Sequence, residues 1–365
     1  MFAKKNLVAA AALMALVGAA QADVKVYGSV EASFGSFEAA HATGTSTRTT
    51  QVSSGNMMTS FIGFSGSEDL GGGLKAEFAL ESFIGVDNGQ NIQNNASQFW
   101  GRGSSVALSG GFGKVALGQY DNPLFTSGYT YNPFGSSMPF SPTMRHLNYI
   151  GQTTNATATT LKQASIAGAG AGFDTGWINS VTYESPNLSG FSFVGQAALK
   201  ESNVADTKNS YALAGTYAAG PFGATLTYVK SGYTPVGGST VTYNGDEKII
   251  NFGTSYDFGV LKAFGQYTDI KETANATAGT VKNKDRIYQV GVSVPVTEKG
   301  SILASYGELK HTIDATGVSA KDRVFSLGYD YFLSKRTDVY TVFSNNGQTN
   351  LESGQTFAVG IKHAF

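Results

Sequence analysis

The chain ends Gln355-Thr-Phe-Ala-Val-Gly-Ile-Lys-His-Ala-Phe365, and no other feature restricts the fold as strongly. Phe357, Val359, Ile361, His363 and Phe365 share one parity; Thr356, Ala358, Gly360, Lys362 and Ala364 share the other. Side chains on a strand alternate between faces, so one face is apolar and the other small or polar. At the edge of a soluble sheet such a strand would template aggregation. In a barrel spanning the bacterial outer membrane it is the closing strand, with its apolar side and Phe365 toward lipid.

The N-terminus agrees. Lys4 and Lys5 precede an apolar run, Leu7 to Ala20, that ends at Ala20-Gln21-Ala22 before the polar Asp23. This is the pattern of a secretory signal peptide over residues 1–22, leaving one barrel domain over 23–365. The run is too short to span as a helix, and no other stretch approaches the roughly 20 apolar residues that a spanning helix needs. Without cysteine, no disulfide framework supports the fold. Charged residues make up only 14%, aromatics 12%, and there are 46 glycines. That balance suits a barrel with few charges over the lipid band, aromatics at both interfaces and small residues at tight turns. A formal net charge of −1 gives no basis for a nucleic-acid partner. Alternation alone leaves a large periplasmic or secreted all-β domain open.

Two kinds of connection separate the alternating segments. Short ones rich in Gly, Pro, Asp or Asn fall at Glu68–Gly73, Ser109–Gly113, Pro186–Gly190, Ala219–Gly223, Asp257–Gly259, Pro295–Gly300 and Leu333–Arg336. Long polar ones fall at Glu38–Asn56, Val86–Gln98, Tyr120 onward, Lys200–Asn209, Thr234–Glu247, Lys271–Lys284, His311–Lys321 and Asn345–Gly354. The two kinds alternate strictly. Seven turns and eight loops predict a sixteen-stranded antiparallel barrel with short periplasmic turns and long external loops. Within Ile287–Val294, for example, Tyr288, Val290, Val292 and Val294 are predicted outward, opposite Ile287, Gln289, Gly291 and Ser293 facing water. Tyr27, Tyr183, Phe191, Tyr217, Phe222, Tyr256, Phe258, Tyr331, Phe332 and Phe365 lie near turns and read as a periplasmic aromatic girdle.

Six segments resemble general porins of Gram-negative β-proteobacteria. They are Asp23-Val-Lys-Val-Tyr-Gly28, Ile62-Gly-Phe-Ser-Gly-Ser-Glu-Asp-Leu-Gly-Gly-Gly-Leu-Lys-Ala76 and Val106-Ala-Leu-Ser-Gly-Gly-Phe-Gly113, then Asn179-Ser-Val-Thr-Tyr-Glu-Ser-Pro186, Leu333-Ser-Lys-Arg-Thr337 and Val359–Phe365. They run in order from the mature start to the last residue. The resemblance implies a water-filled, homotrimeric channel for passive uptake of small hydrophilic solutes and ions, embedded in outer-membrane lipid. It also implies a third long loop folded into the lumen. The chain departs from the family where arginine or another basic residue is common: Phe61, Ser65, Gln119 and Gly176 stand at such positions. Arg102 matches a family arginine, and Arg145-His-Leu-Asn148 repeats the spacing of another. Thr153 to Phe173 looks inserted.

A channel selects by width and by charged or apolar rings at its narrowest point. The candidates on the wall are Phe61, Lys75, Glu77, Glu81 and Arg102, with Lys114 near the periplasmic mouth. On the constricting loop they are Asp121 and Arg145. Arg102 shares parity with Val106 and Leu108, so strict alternation points it at lipid unless Gly101 and Gly103 host a bulge. Tyr120, Phe125, Tyr129, Tyr131, Phe134 and Phe140, in a loop with almost no acid, predict a pore more aromatic and less basic than the family's, with weakened anion selectivity. His41, His146, His311 and His363 lack metal-ligand spacing, and neither a Gly-x-Ser-x-Gly elbow nor a phosphate loop is present. No cofactor or catalytic residue is expected. The competing reading is a barrel with a non-transport role, an adhesin or a hydrolase with a rim site.

Overall fold

A computed structural model describes residues 23–91, 98–150, 175–201, 208–232, 244–276, 279–314 and 316–365. Residues 1–22, which the sequence reads as a signal peptide, and the inserted-looking 153–173 lie outside the described residues. The strands are β1 (Asp23–Phe37), β2 (Thr49–Ser54), β3 (Phe61–Gly71), β4 (Leu74–Phe83), β5 (Gly103–Gly110), β6 (Gly113–Asp121), β7 (Gly176–Glu184), β8 (Phe191–Ala198) and β9 (Ser210–Ala219). They continue as β10 (Phe222–Gly232), β11 (Asn244–Asp257), β12 (Lys262–Ala276), β13 (Gly279–Pro295), β14 (Gly300–Ile313), β15 (Ser319–Phe332), β16 (Thr337–Gln348) and β17 (Gly354–Ala364). The strands pair antiparallel around the wall, and β17 returns to β1 from Ser29↔Ala364 to Ser36↔Phe357. Closure leaves no sheet edge, which lipid would not tolerate.

β2 and β3 share one place in the wall. β2 pairs with the outer half of β1, Ala32 to Phe37, and β3 with its inner half, Asp23 to Ser29. The seventeen strands therefore make a sixteen-stranded barrel. The break over residues 55–60 is filled by side chains. The buried Glu31 carboxylate accepts from the Asn56 amide at 2.8 Å and from the Tyr340 hydroxyl, and Ser60 Oγ accepts from the Glu31 amide at 2.8 Å.

The seam shows why the terminal phenylalanine matters. Gly28 and Phe365 exchange backbone hydrogen bonds of 3.2 and 3.1 Å. A Cβ on Gly28 would stand 2.8 Å from the Phe365 ring and 2.3 Å from the Phe61 carbonyl, so only glycine lets the ring lie across the seam.

All seven short turns fall where the sequence places them. Several long loops are shorter than the sequence places them: β2 lies within Glu38–Asn56, and β11 begins inside Thr234–Glu247. β12 and β13 stay paired to Ala276↔Gly279, β14 and β15 to Thr312↔Ser319, and β16 and β17 to Asn346↔Gly354. Most of Lys271–Lys284 is therefore strand, as are both ends of His311–Lys321 and half of Asn345–Gly354. Beyond the membrane both faces of a hairpin meet water, so a polar sequence does not end the pairing.

Alternation along the wall follows the predicted parity. Ile250, Phe252 and Tyr256 are exposed outward, while Asn251 and Ser255 are buried inward; Tyr288 and Val290 face out and Gln289 faces in. A slip of one residue would exchange every such pair, so register is firmly set. Tyr183, Phe191, Phe222, Tyr256, Phe258, Phe332 and Phe365 are exposed beside the turns, as a girdle requires. Tyr27 is not among them. It shares the inward parity of Ser29 and Glu31 and reaches into the lumen.

The interior also departs from a purely polar lining. Ala212, Val229, Ile249, Ile270, Ile287 and Leu309 form a buried apolar row across the inner faces of β9 to β14. Two helices of the third long loop cover it: α1 (Pro123–Thr130) brings Leu124, and α2 (Pro142–Ile150) brings Leu147. No described helix is long and apolar enough to cross a membrane.

Candidate channel constriction

Asn122-Pro123 starts the inward fold of the loop. Asn122 caps α1 by accepting from the Leu124 amide at 2.8 Å, and Pro123 fills a first-turn position where no amide is needed. The Asn122 side-chain amide also donates to Gln196 on β8 at 3.2 Å, so the cap is tied to the wall. Farther on, Ser137 Oγ donates to the Asn56 carbonyl in the break between β2 and β3 at 2.6 Å. Phe134 and Phe140 pack there with Met57, Leu303, Tyr340 and Val342.

A buried polar cluster holds α2. His146 Nε2 donates to Asp322 on β15 at 3.0 Å, and Asn346 and Gln348 on β16 donate to the same carboxylate at 2.9 and 2.6 Å. The Thr143 amide donates to Gln289 on β13 at 2.8 Å. The third loop is thus pinned against β8 to β16. The side of the lumen it leaves open is walled by β1 to β7.

That wall carries most of the predicted residues. Glu81 on β4 accepts from the Tyr27 hydroxyl at 2.5 Å and from the Arg102 guanidinium. The Arg102 guanidinium carbon lies 4.0 Å from the centroid of the Phe61 ring, a cation–π distance, and Phe61 meets Tyr27 edge-on at 6.0 Å. Arg102 points inward despite its parity. It sits in a bend just before β5, where strict alternation does not apply.

Asp121, at the end of β6, shares with Arg102 a cavity of about 290 Å³ lined by Met58, Phe83, Phe125 and Tyr129. A neighbouring cavity of about 360 Å³ brings Glu81, Asp121 and Glu184 together with Tyr120, Tyr129 and Tyr131. Burial, with the Asp121 charge adding, holds the Tyr129 phenol above its ordinary range, so the ring stays neutral. Nearer the turns, Glu77 bonds Lys114 at 2.7 Å and accepts from Ser109. These share a third cavity of about 380 Å³ with Lys75, Lys25 and Asp23.

The predicted set thus divides in three. Phe61, Glu81, Arg102 and Asp121 gather in one place beside the inward-folded loop. Lys75, Glu77 and Lys114 meet at the periplasmic mouth. Arg145 joins neither: it donates to Asn346 at 3.1 Å and lines a separate cavity with Phe37, Glu38 and Phe140. On α2 the adjacent Met144, His146 and Leu147 are fully buried, and that orientation carries Arg145 away from Asp121.

The aromatic loop divides likewise. Phe125, Tyr131, Phe134 and Phe140 are buried packing groups, whereas Tyr120 and Tyr129 remain half-buried against the open space. Tyr27 and Glu184 face the same space, and the sequence reading misses both. Parity holds the signal for both: Tyr27 shares it with Lys25 and Glu31, and Glu184 lies opposite the outward Tyr183.

A closed barrel with a lipid-facing apolar band and a charged, loop-narrowed lumen defines an outer-membrane diffusion channel. The chain matches the model of the Gram-negative porin family over residues 9–351, and it belongs to that family. Outer membrane porin protein 32 of Delftia acidovorans is 32% identical, with 99% of this chain and 100% of the relative aligned. An outer membrane porin protein of Bordetella pertussis is 29% identical at the same coverage. Among solved structures, the anion-selective porin from Comamonas acidovorans superposes with a TM-score of 0.73 at 28% identity, covering 94% of this chain and 100% of that one. Salmonella typhi OmpF, in complex with daunomycin, shares the fold at a TM-score of 0.63 and 17% identity, covering 94% of this chain and 97% of that one. The protein is an outer-membrane porin, a channel for passive diffusion.

Proposed function

We propose that the group Tyr27, Phe61, Glu81, Arg102, Asp121 and Glu184 is the selectivity filter, and that it favours cations and neutral solutes, aromatic ones included, over anions. The balance of charge carries this reading. Three carboxylates, Glu81, Asp121 and Glu184, stand against one guanidinium, Arg102, which is itself committed to Glu81. Fixed charge of one sign raises the local concentration of the opposite ion in a narrow pore. Phe61, Ser65, Gln119 and Gly176, where basic residues are common in the family, shift the balance the same way. The relative named an anion-selective porin would then differ from this chain in sign.

Passage, rather than turnover, is the activity, and the relatives' names as porins support that. A homotrimer is the proposed assembly; migration on a detergent gel before and after boiling tests it together with the barrel. Selectivity is tested by reversal potential in a planar bilayer under a tenfold salt gradient. The expected sign is that of cations, well below the limit of about 59 mV for perfect selectivity. A strong potential of anion sign rejects the filter assignment and leaves the channel itself intact.

A further inference from the structure

Among the described residues, every methionine lies in one part of the molecule. The sequence has six, and Met1 and Met14 fall in residues 1–22. The other four, Met57, Met58, Met138 and Met144, lie at the break between β2 and β3 or on the third loop that is tied to it. The bond from Ser137 Oγ to the Asn56 carbonyl, 2.6 Å long, draws Met138 to the side of Met57 and Met58. Packing accounts for two of the four. Met57 is buried with Phe134, Phe140 and Tyr340. Met144 on α2 is fully buried against α1, and a Cβ on Gly128 would stand 2.8 Å from its sulfur. Met58 and Met138 differ. Both are half-buried and line the cavity of about 290 Å³ that Arg102 and Asp121 share. A flexible thioether fills irregular gaps in a core. These two border open space instead, where leucine would complete the wall equally well.

A thioether open to water has a chemistry that the other apolar groups of the cavity lack. We propose that Met58 and Met138 form a site of reversible oxidation by small peroxides that pass through the channel. The sulfur lone pair attacks one oxygen of hydrogen peroxide. The O–O bond breaks, an S–O bond forms, and the other oxygen leaves as water. Sulfur gives up two electrons and the peroxide takes them, so a flexible apolar side chain becomes a polar sulfoxide. Hydrogen peroxide carries no charge, so the fixed charges beside the loop do not exclude it. The new oxygens are hydrogen-bond acceptors, and donors line the same cavity: the Arg102 guanidinium and the hydroxyls of Thr59, Tyr129 and Ser136. Oxidation therefore adds bulk to the open space and turns an apolar wall into one that holds the guanidinium and water, which narrows the path for ions. Met57 and Met144, sealed in packing, stay reduced. The site rests on the channel reading, since solute must reach this cavity, and is independent of the sign of selectivity.

The test uses the intact purified protein, with hydrogen peroxide as the probe. Peptide mass mapping after brief exposure should show one added oxygen at Met58 and at Met138 at least about tenfold sooner than at Met57 and Met144, because susceptibility follows access. In the chain unfolded by denaturant all four should oxidise alike. In planar bilayers the oxidised protein should show a loss of single-channel current. Methionine sulfoxide reductases A and B, supplied with a thiol reductant, should restore it, since each enzyme reduces one sulfoxide epimer. The variant M58L/M138L, nearly equal in volume, should conduct as wild type and keep its current under peroxide. Equal oxidation of the four methionines in the folded protein overturns the proposal and leaves the channel intact. So does an unchanged current after complete oxidation of Met58 and Met138, or an equal loss of current in M58L/M138L. Absence of any stable current from untreated protein would reject the channel reading and the site with it.

Discussion

The two sides of the lumen use opposite chemistry. Across β9 to β14 the inner wall presents an apolar row, from Ala212 to Leu309, and closes it with Leu124 and Leu147 of the third loop. Across β1 to β7 it presents Tyr27, Glu81, Arg102 and Glu184, which border open space. One side uses its side chains to hold a loop, and the other to face solute. A narrow pore needs both, since a constriction keeps a fixed width only if the element opposite the charged wall cannot move.

The largest effect should come from breaking the anchor at its most buried point. Asp322 accepts from His146, Asn346 and Gln348, and removing one partner of a buried charged cluster typically costs about 3–5 kcal/mol. Asp322→Ala should leave the barrel closed and free α2, giving larger, noisier single-channel currents and protease cleavage within the third loop. Quiet currents of wild-type size would show that the apolar row alone holds the loop. Leu124→Ala is the complementary change. Its side chain is fully buried against the row, so a loss of about 2–5 kcal/mol of anchoring is expected. The same noise should appear, with its onset moved to lower temperature.

Much of this is legible in the chain, and the failures have physical causes. Parity fixes the faces of β11, β13 and β15, because lipid on one side enforces alternation. The seven turns are legible because a tight reversal needs special backbone; Gly71, Gly72 and Gly73 all have positive φ. The apolar row is not. Ile249, Ile270 and Ile287 read as breaks in an otherwise polar face, since only the loop that covers them gives them a purpose. Arg145 rests on spacing alone, and spacing does not determine which face of α2 the wall buries. Arg102 is readable as a candidate, but its inward turn depends on a bend that alternation does not describe.

On the charged side, Arg102→Gln tests the filter. A unit charge about 4 Å away in a water-filled setting is worth about 1 kcal/mol, so a few-fold rise in the cation-to-anion permeability ratio is expected. Reversal potentials of the variant and wild type, measured in the same gradient, give the ratio directly. A shift toward anions would mean that Glu81, once released, is shielded from the pathway, and that Asp121 and Glu184 do not set the field.

Tyr27→Phe should have the smallest effect and divides the charged wall most finely. The Tyr27 hydroxyl donates to Glu81 Oε1, while Arg102 bonds Oε2, so the carboxylate is held from both sides. Deleting the hydroxyl removes one hydrogen bond to a charged group, worth about 1.5–3 kcal/mol, and changes no formal charge. If Glu81 acts only through its charge, the reversal potential should stay as in wild type. If its position matters, the carboxylate swings toward Arg102, the aperture beside Phe61 widens, and conductance rises by less than about a factor of two while selectivity holds. A change in selectivity as large as that of Arg102→Gln would show instead that Tyr27 orients the guanidinium through the shared carboxylate. The charged wall would then act as one unit, as the clasped loop opposite it does.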